Sequence, residues 1–161
     1  MSGRRPDNPV SSSPCLLDSD EALNPDYLPE YSADNSRKPP MKILAANTII
    51  YCKHWPQSVN FYRDILQLGI SFQKDDWFIE FVVNGAAHLS IADAAKCTIP
   101  PGEGIGLTLS FFVQDLRAAE ATFKQHNINT TEIKAKGWRA PYFYVYDPEG
   151  TRIEFWTRNL K

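Results

Sequence analysis

The segment from Tyr142 to Trp156, YFYVYDPEGTRIEFW, constrains the fold more than any other part of the chain. Two alternating stretches flank Asp147-Pro148-Glu149-Gly150. Aspartate opens such a turn, proline presets φ at its second position, and glycine takes the positive φ that a hairpin loop often needs. The segment therefore predicts a β-hairpin. On its first strand Phe143 and Val145 alternate with Tyr142, Tyr144 and Tyr146, and on its second Ile153 and Phe155 alternate with Arg152, Glu154 and Trp156. One face suits a core. The other carries four large aromatics with charges, which is unusual for a surface that only meets water and predicts a concave wall that holds a ligand.

The chain has 161 residues, 43% of them apolar, enough for one domain with a sizeable core. No apolar run approaches the length that crosses a bilayer, and no continuous apolar stretch at the N-terminus suggests a signal peptide, so a soluble, cytoplasmic protein without a membrane partner is expected. Cys15, Cys52 and Cys97 are odd in number and widely spaced, which argues against a disulfide framework or a structural zinc site. A net charge of −2, with no basic cluster, gives no attraction for nucleic acid.

Residues 1–40 hold seven of the twelve prolines and read as a disordered N-terminal tail, in which Leu16-Leu17 and Tyr27–Tyr31 are the segments able to dock elsewhere. Met41 directly precedes the first strand pattern, so residues 41–161 are expected to form the domain. Within it two similar halves follow one another. The first, residues 42–95, has a strand over Ile43–Cys52, Pro56 in a first helical turn, and Val59, Tyr62 and Leu66 at helical spacing, with Gly69 after the helix end. Strands follow near 70–73, 77–83 and 87–92, the last two joined by Asn84-Gly85 as a two-residue turn. Residues 96–104 read as a linker. The second half, residues 105–158, has a strand over Ile105–Val113, Asp115 as helix cap, Leu116, Ala119 and Phe123 on one helical face, a strand near Thr130–Ile133, and the closing hairpin.

Three segments carry a family resemblance: Phe61-Tyr62-Arg63-Asp64-Ile65-Leu66, Phe111-Phe112-Val113-Gln114-Asp115-Leu116, and Asp147-Pro148-Glu149-Gly150 followed by Ile153-Glu154-Phe155. In that order and spacing the chain resembles the vicinal oxygen chelate superfamily of glyoxalases, extradiol dioxygenases and bleomycin resistance proteins. The resemblance implies an α+β fold in which paired βαβββ modules form a curved mixed sheet around a cavity, with helices on the outer face and pairing across a homodimer. It also implies metal ligands at the first and last strand of each module, positions filled here by Asn47, Ser90, Thr108 and Glu154. Only Glu154 is a strong donor, so no metal and no other cofactor is expected; the alternative is a reduced metal site from His88 and Glu154.

Strand alternation gives the expected cavity lining: Asn47, Ile49 and Tyr51; His88 and Ser90; Thr108, Ser110 and Phe112; Tyr144, Tyr146, Glu154 and Trp156. Leu107, Leu109, Phe111 and Val113 are expected on the opposite face, under the helices. Flat aromatic surface, a few hydrogen-bonding groups and one carboxylate suit a small, partly aromatic organic molecule. By resemblance to the bleomycin resistance branch, Tyr51, Tyr144, Tyr146 and Trp156 stack on it, Phe112 belongs to the ligand-binding lining, Glu154 pairs with a positive group, and Asn47, His88, Ser90 and Thr108 orient it. The alternative is a lyase or isomerase in which Glu154 and His88 act as acid and base. Trp138 and Arg139 stand where a rim or lid would lie, and Cys52 is expected to be buried beneath the helix.

Overall fold

Strands in this chain form where β-branched and aromatic residues alternate with polar ones. A computed structural model describes residues 41–135 and 140–158, so the expectations placed on residues 1–40, Trp138 and Arg139 lie outside the described residues. The elements are β1 (Ala46–Cys52), α1 (Trp55–Asn60), β2 (Gly69–Lys74), β3 (Phe78–Asn84), β4 (Ala87–Asp93), β5 (Thr108–Phe112), α2 (Leu116–Gln125), β6 (Tyr142–Tyr146) and β7 (Arg152–Trp156). A four-stranded sheet runs β1-β4-β3-β2, with β1 parallel to β4. A three-stranded sheet runs β5-β7-β6, with β5 parallel to β7. In each module a helix follows the first strand, and that strand pairs in parallel with the module's last. The α+β class is as expected, but the two sheets stay separate and do not close into a barrel.

Several boundaries differ from the sequence pattern. Helix α1 begins with Pro56 in its first turn and passes into a π-helical turn over Phe61–Ile65, where the amide of Leu66 donates to the carbonyl of Phe61. The spacing of Val59, Tyr62 and Leu66 thus belongs to a helix that widens midway. Gly69 opens β2 instead of following the helix end. Asn84 is still paired, with Ala87, so the tight turn is Gly85-Ala86, and Gly85 supplies φ +48°. β1 begins at Ala46 and β5 at Thr108, leaving Ile43, Leu44 and Ile105 exposed.

The strand expected near Thr130–Ile133 is an extended edge segment bonded to β6 at single points. Thr131 N–H donates to the Tyr144 carbonyl at 2.9 Å, and Lys134 exchanges backbone bonds with Tyr142. The ladder is interrupted because the Tyr144 N–H donates to the Thr131 hydroxyl, not to a carbonyl. In the second module the second strand is therefore a bridge.

One core joins both modules. Ile50, Ile79, Phe81, Leu89 and Ile91 from the first sheet and Leu109, Phe143, Val145, Ile153 and Phe155 from the second are covered by Val59, Phe61, Tyr62, Leu116 and Phe123. Phe123 lies 6.3 Å from Phe61, 6.1 Å from Phe143 and 5.1 Å from Phe155, ring centre to ring centre. Asp115 caps α2 by accepting from Ala118 N–H at 2.9 Å. Phe111 and Val113 pack on this core as expected, whereas Leu107, which precedes the strand, is 36% exposed.

The β6–β7 turn seats on the first module. Glu149 accepts from the backbone N–H groups of Lys53 and His54 at the entry to α1, where the His54 side chain offers no cap. Those amides would otherwise lack partners at a helix start. Among the described residues no helix is long and apolar enough to cross a membrane.

Candidate ligand-binding faces

With the core on one side, each sheet leaves its other side open. On the first sheet four strands contribute to one polar network. Asn47 on β1 donates to Glu80 on β3 at 2.9 Å and exchanges hydrogen bonds with the buried hydroxyl of Ser90 on β4. His88 Nδ1 lies 3.0 Å from Glu80 Oε1, and Ser71 on β2 donates to the same oxygen at 2.8 Å. Asn47, His88 and Ser90 are therefore brought together, but around a carboxylate missing from the expected set. The signal was present in Phe78-Ile79-Glu80-Phe81-Val82, a single charge among apolar strand residues, on the face opposite buried Ile79 and Phe81.

The open face of the second sheet is aromatic. Phe112 and Trp156, cross-strand partners, lie 4.8 Å apart, and Tyr142 and Tyr144 lie 5.1 Å apart. Phe112 and Tyr146 are 56% and 54% exposed. Ser110 donates to Glu154 at 3.0 Å. Arg152, absent from the expected lining, donates to the Thr108 hydroxyl through Nε and Nη2 at 3.0 and 2.8 Å, and its guanidinium lies 5.1 Å from the Tyr144 ring centre. This is a cation–π distance.

Glu154 is not the only carboxylate on an open face, since Glu80 is the second. His88 is bonded within the first sheet, to Glu80, and Glu154 within the second, to Ser110. Among the described residues, candidate residues line several hollows. Tyr51 walls a hollow of about 290 Å³ with Trp77, Phe78 and Ile99. Ser110 and Phe112 line another of about 420 Å³ with Leu66, Leu68 and Val83. Thr108 and Tyr146 face a third, also about 420 Å³, with Arg152 and Gly104. The second of these is walled by both modules, with Val83 from β3 and Ser110 and Phe112 from β5.

The donor set does not fit the metal that the fold family implies. Asn47 and Ser90 satisfy each other, Thr108 is held by Arg152, and an amide with two hydroxyls makes a poor inner coordination shell. Among the described residues no three His, Cys, Asp or Glu side chains cluster to hold an ion. Under the sheets, burial pushes the Cys52 thiol up to about 12, raises the Asp147 carboxyl, and takes the Tyr62 phenol well above its ordinary value. These groups belong to the core between the modules.

The comparisons agree with this architecture. A structure of lactoylglutathione lyase from Agrobacterium tumefaciens is similar at 20% identity, covering 74% of this chain and 95% of that one, with a TM-score of 0.58. The antibiotic-binding protein TnmS3 from Streptomyces sp. is similar at 16% identity over 76% of this chain and all of that one, with a TM-score of 0.61. A superfamily member from Sphaerobacter thermophilus shares 15% identity over 73% and 98% of the two chains, with a TM-score of 0.59. At these identities the likeness shows the fold alone. A comparison with curated protein sequences finds no match. Residues 44–155 match the family model, which with the paired open sheets makes this chain a member of the glyoxalase/bleomycin resistance protein/dioxygenase superfamily.

Proposed function

We propose that this chain binds a small, partly aromatic organic molecule on its open sheet faces, without a metal ion. The observation that carries the reading is the second sheet's open face, where Trp156, Phe112, Tyr144 and exposed Tyr146 surround the Ser110–Glu154 pair. Exposed aromatic surface beside a carboxylate suits a planar molecule with a positive group. That a fold neighbour is an antibiotic-binding protein is consistent with this. The residues from Met41 onward carry the function in this reading. In this reading the chain also pairs as a homodimer.

The test titrates bleomycin and a panel of planar aromatic amines against wild-type protein and Trp156→Ala, with thermal melting of both. The substitution is expected to weaken binding by about tenfold or more, as for an aromatic anchor, with little change in melting temperature. Equal losses in binding and stability make Trp156 a core residue and remove the reading. Sedimentation of the free protein as a monomer at all concentrations removes the homodimer.

A further inference from the structure

We propose that Glu80 and His88 form a general-base dyad on the open face of the first sheet. The carboxylate fixes the imidazole as its Nδ1–H tautomer and leaves Nε2 to take a proton from a bound carbon or oxygen acid. The inference goes beyond binding, and it rests on the same open face admitting a ligand. Neither residue occupies a position at which the superfamily resemblance places a metal ligand.

An ionised carboxylate only accepts hydrogen bonds. With Glu80 Oε1 at 3.0 Å, Nδ1 of the neutral ring must carry the hydrogen. Ser71 agrees: its proton goes to Glu80 Oε1 at 2.8 Å, so at 3.5 Å from Nδ1 it presents a lone pair. Nε2 then bears the free lone pair, and among the described residues it has no hydrogen-bond partner. The carboxylate is held on both oxygens, by Ser71 and His88 on Oε1 and by Asn47 on Oε2 at 2.9 Å. Asn47 is itself fixed by buried Ser90. The dyad is thus supported by neighbours on three strands, as a preorganised site requires. The side chains of His88 and Glu80 are 22% and 24% exposed, so a ligand can reach the ring while most of it stays walled.

The surroundings suggest a substrate class. Phe78 lies two residues along β3 from Glu80 on the same face, about 7 Å away at strand rise. With Tyr51 and Trp77 it walls the 290 Å³ hollow. A matching molecule has a planar apolar end for this hollow and an acidic C–H or O–H for His88 Nε2. For a carbon acid beside a carbonyl, Nε2 takes the proton and the C–H electron pair moves to the carbonyl oxygen as an enolate. Glu80 stays ionised and offsets the imidazolium charge, as the aspartate does in a catalytic triad. Return of the proton to another atom of the same molecule completes an isomerisation that needs no oxidant or second reactant.

The test has two readouts on the full chain. Long-range proton–nitrogen NMR of the neutral imidazole is expected to show His88 as Nδ1–H in wild type and to lose that preference in Glu80→Gln. The chemical probe is 5-nitrobenzisoxazole. A base removes its ring proton, the C–H pair forms the nitrile, and the N–O bond breaks to release a coloured phenolate. His88→Ala is expected to lose about a hundredfold in this rate, in line with general-base catalysis, and added imidazole is expected to restore part of it.

An Nε2–H tautomer in wild type, a rate no greater than that of free imidazole, or a His88→Ala rate equal to wild type each overturn the dyad. The tautomer is read without ligand and the aromatic binding test probes the other sheet, so either proposal can fail while the other stands.

Discussion

The hydroxyl of Tyr62 donates to Asp147 Oδ2 at 2.8 Å, joining the helical segment of the first module to the hairpin turn of the second. Both side chains are buried. The other carboxylate oxygen, Oδ1, accepts from the backbone N–H groups of Glu149 and Thr151 at 3.0 and 2.7 Å. Two segments that carry the family resemblance are therefore a single contact in space.

Tyr62→Phe removes the phenol donor from buried Oδ2. The expected cost is about 1–3 kcal/mol, the usual penalty for a buried acceptor losing its partner, read from urea denaturation. A change lost within the error of the curves means that the bond contributes nothing to holding the modules together.

The pH dependence at Asp147 has a definite sign. Burial raises its folded-state pKa, partly offset by the bonds from Tyr62, Thr151 and Glu149. Its contribution to stability is complete below the unfolded-state value, about 3.9, and is lost as pH rises through the raised folded value. The Asp147→Asn variant carries no such proton. Its stability relative to wild type should therefore improve as pH climbs through that window. Parallel stability curves for the two proteins count against a raised Asp147.

Gly104 sits where the connection between modules crosses the closing hairpin. Its φ is +69°, and a Cβ there would collide with the backbone carbonyl of Gly150 and the amide nitrogen of Thr151. Backbone on both sides cannot yield, so Gly104→Ala combines a clash with a left-handed conformation that alone costs about 1–3 kcal/mol. Gly102→Ala is the control, because nothing lies within 4 Å of its Cβ position and its φ is ordinary. Thermal melting should show a large loss for the first and little for the second. Equal melting temperatures contradict the close approach.

Strand alternation made most of the fold legible, since the apolar faces of β1, β4, β6 and β7 are the buried ones. It also placed Asn47 with Ser90 and Phe112 with Trp156, because residues on one face of paired strands must be neighbours. It failed where long-range pairing decides. Glu80 becomes a site residue only through register with Ser90 across β3 and β4, and His88 turns to it instead of to Glu154. Whether two curved sheets close on one another depends on their separation, which no local pattern encodes. The lapse at Thr131 had a local cause, since a threonine hydroxyl can compete with backbone carbonyls for a ladder N–H.

The same donor chemistry predicts that purified protein takes up no stoichiometric metal. After incubation with zinc, iron, manganese or nickel and removal of excess, elemental analysis should find less than one ion per chain, and EDTA should leave the melting temperature unchanged. The reason lies in competition. A metal at the family's positions must draw Asn47 from Ser90, Thr108 from Arg152, and Glu154 from Ser110, in return for one carboxylate and weak neutral oxygens. His88 adds a nitrogen only by leaving Glu80. Near-stoichiometric metal that disappears in Glu154→Gln or His88→Ala overturns the metal-free reading and points to an altered ligand set, one in which the two open faces meet across copies of the chain.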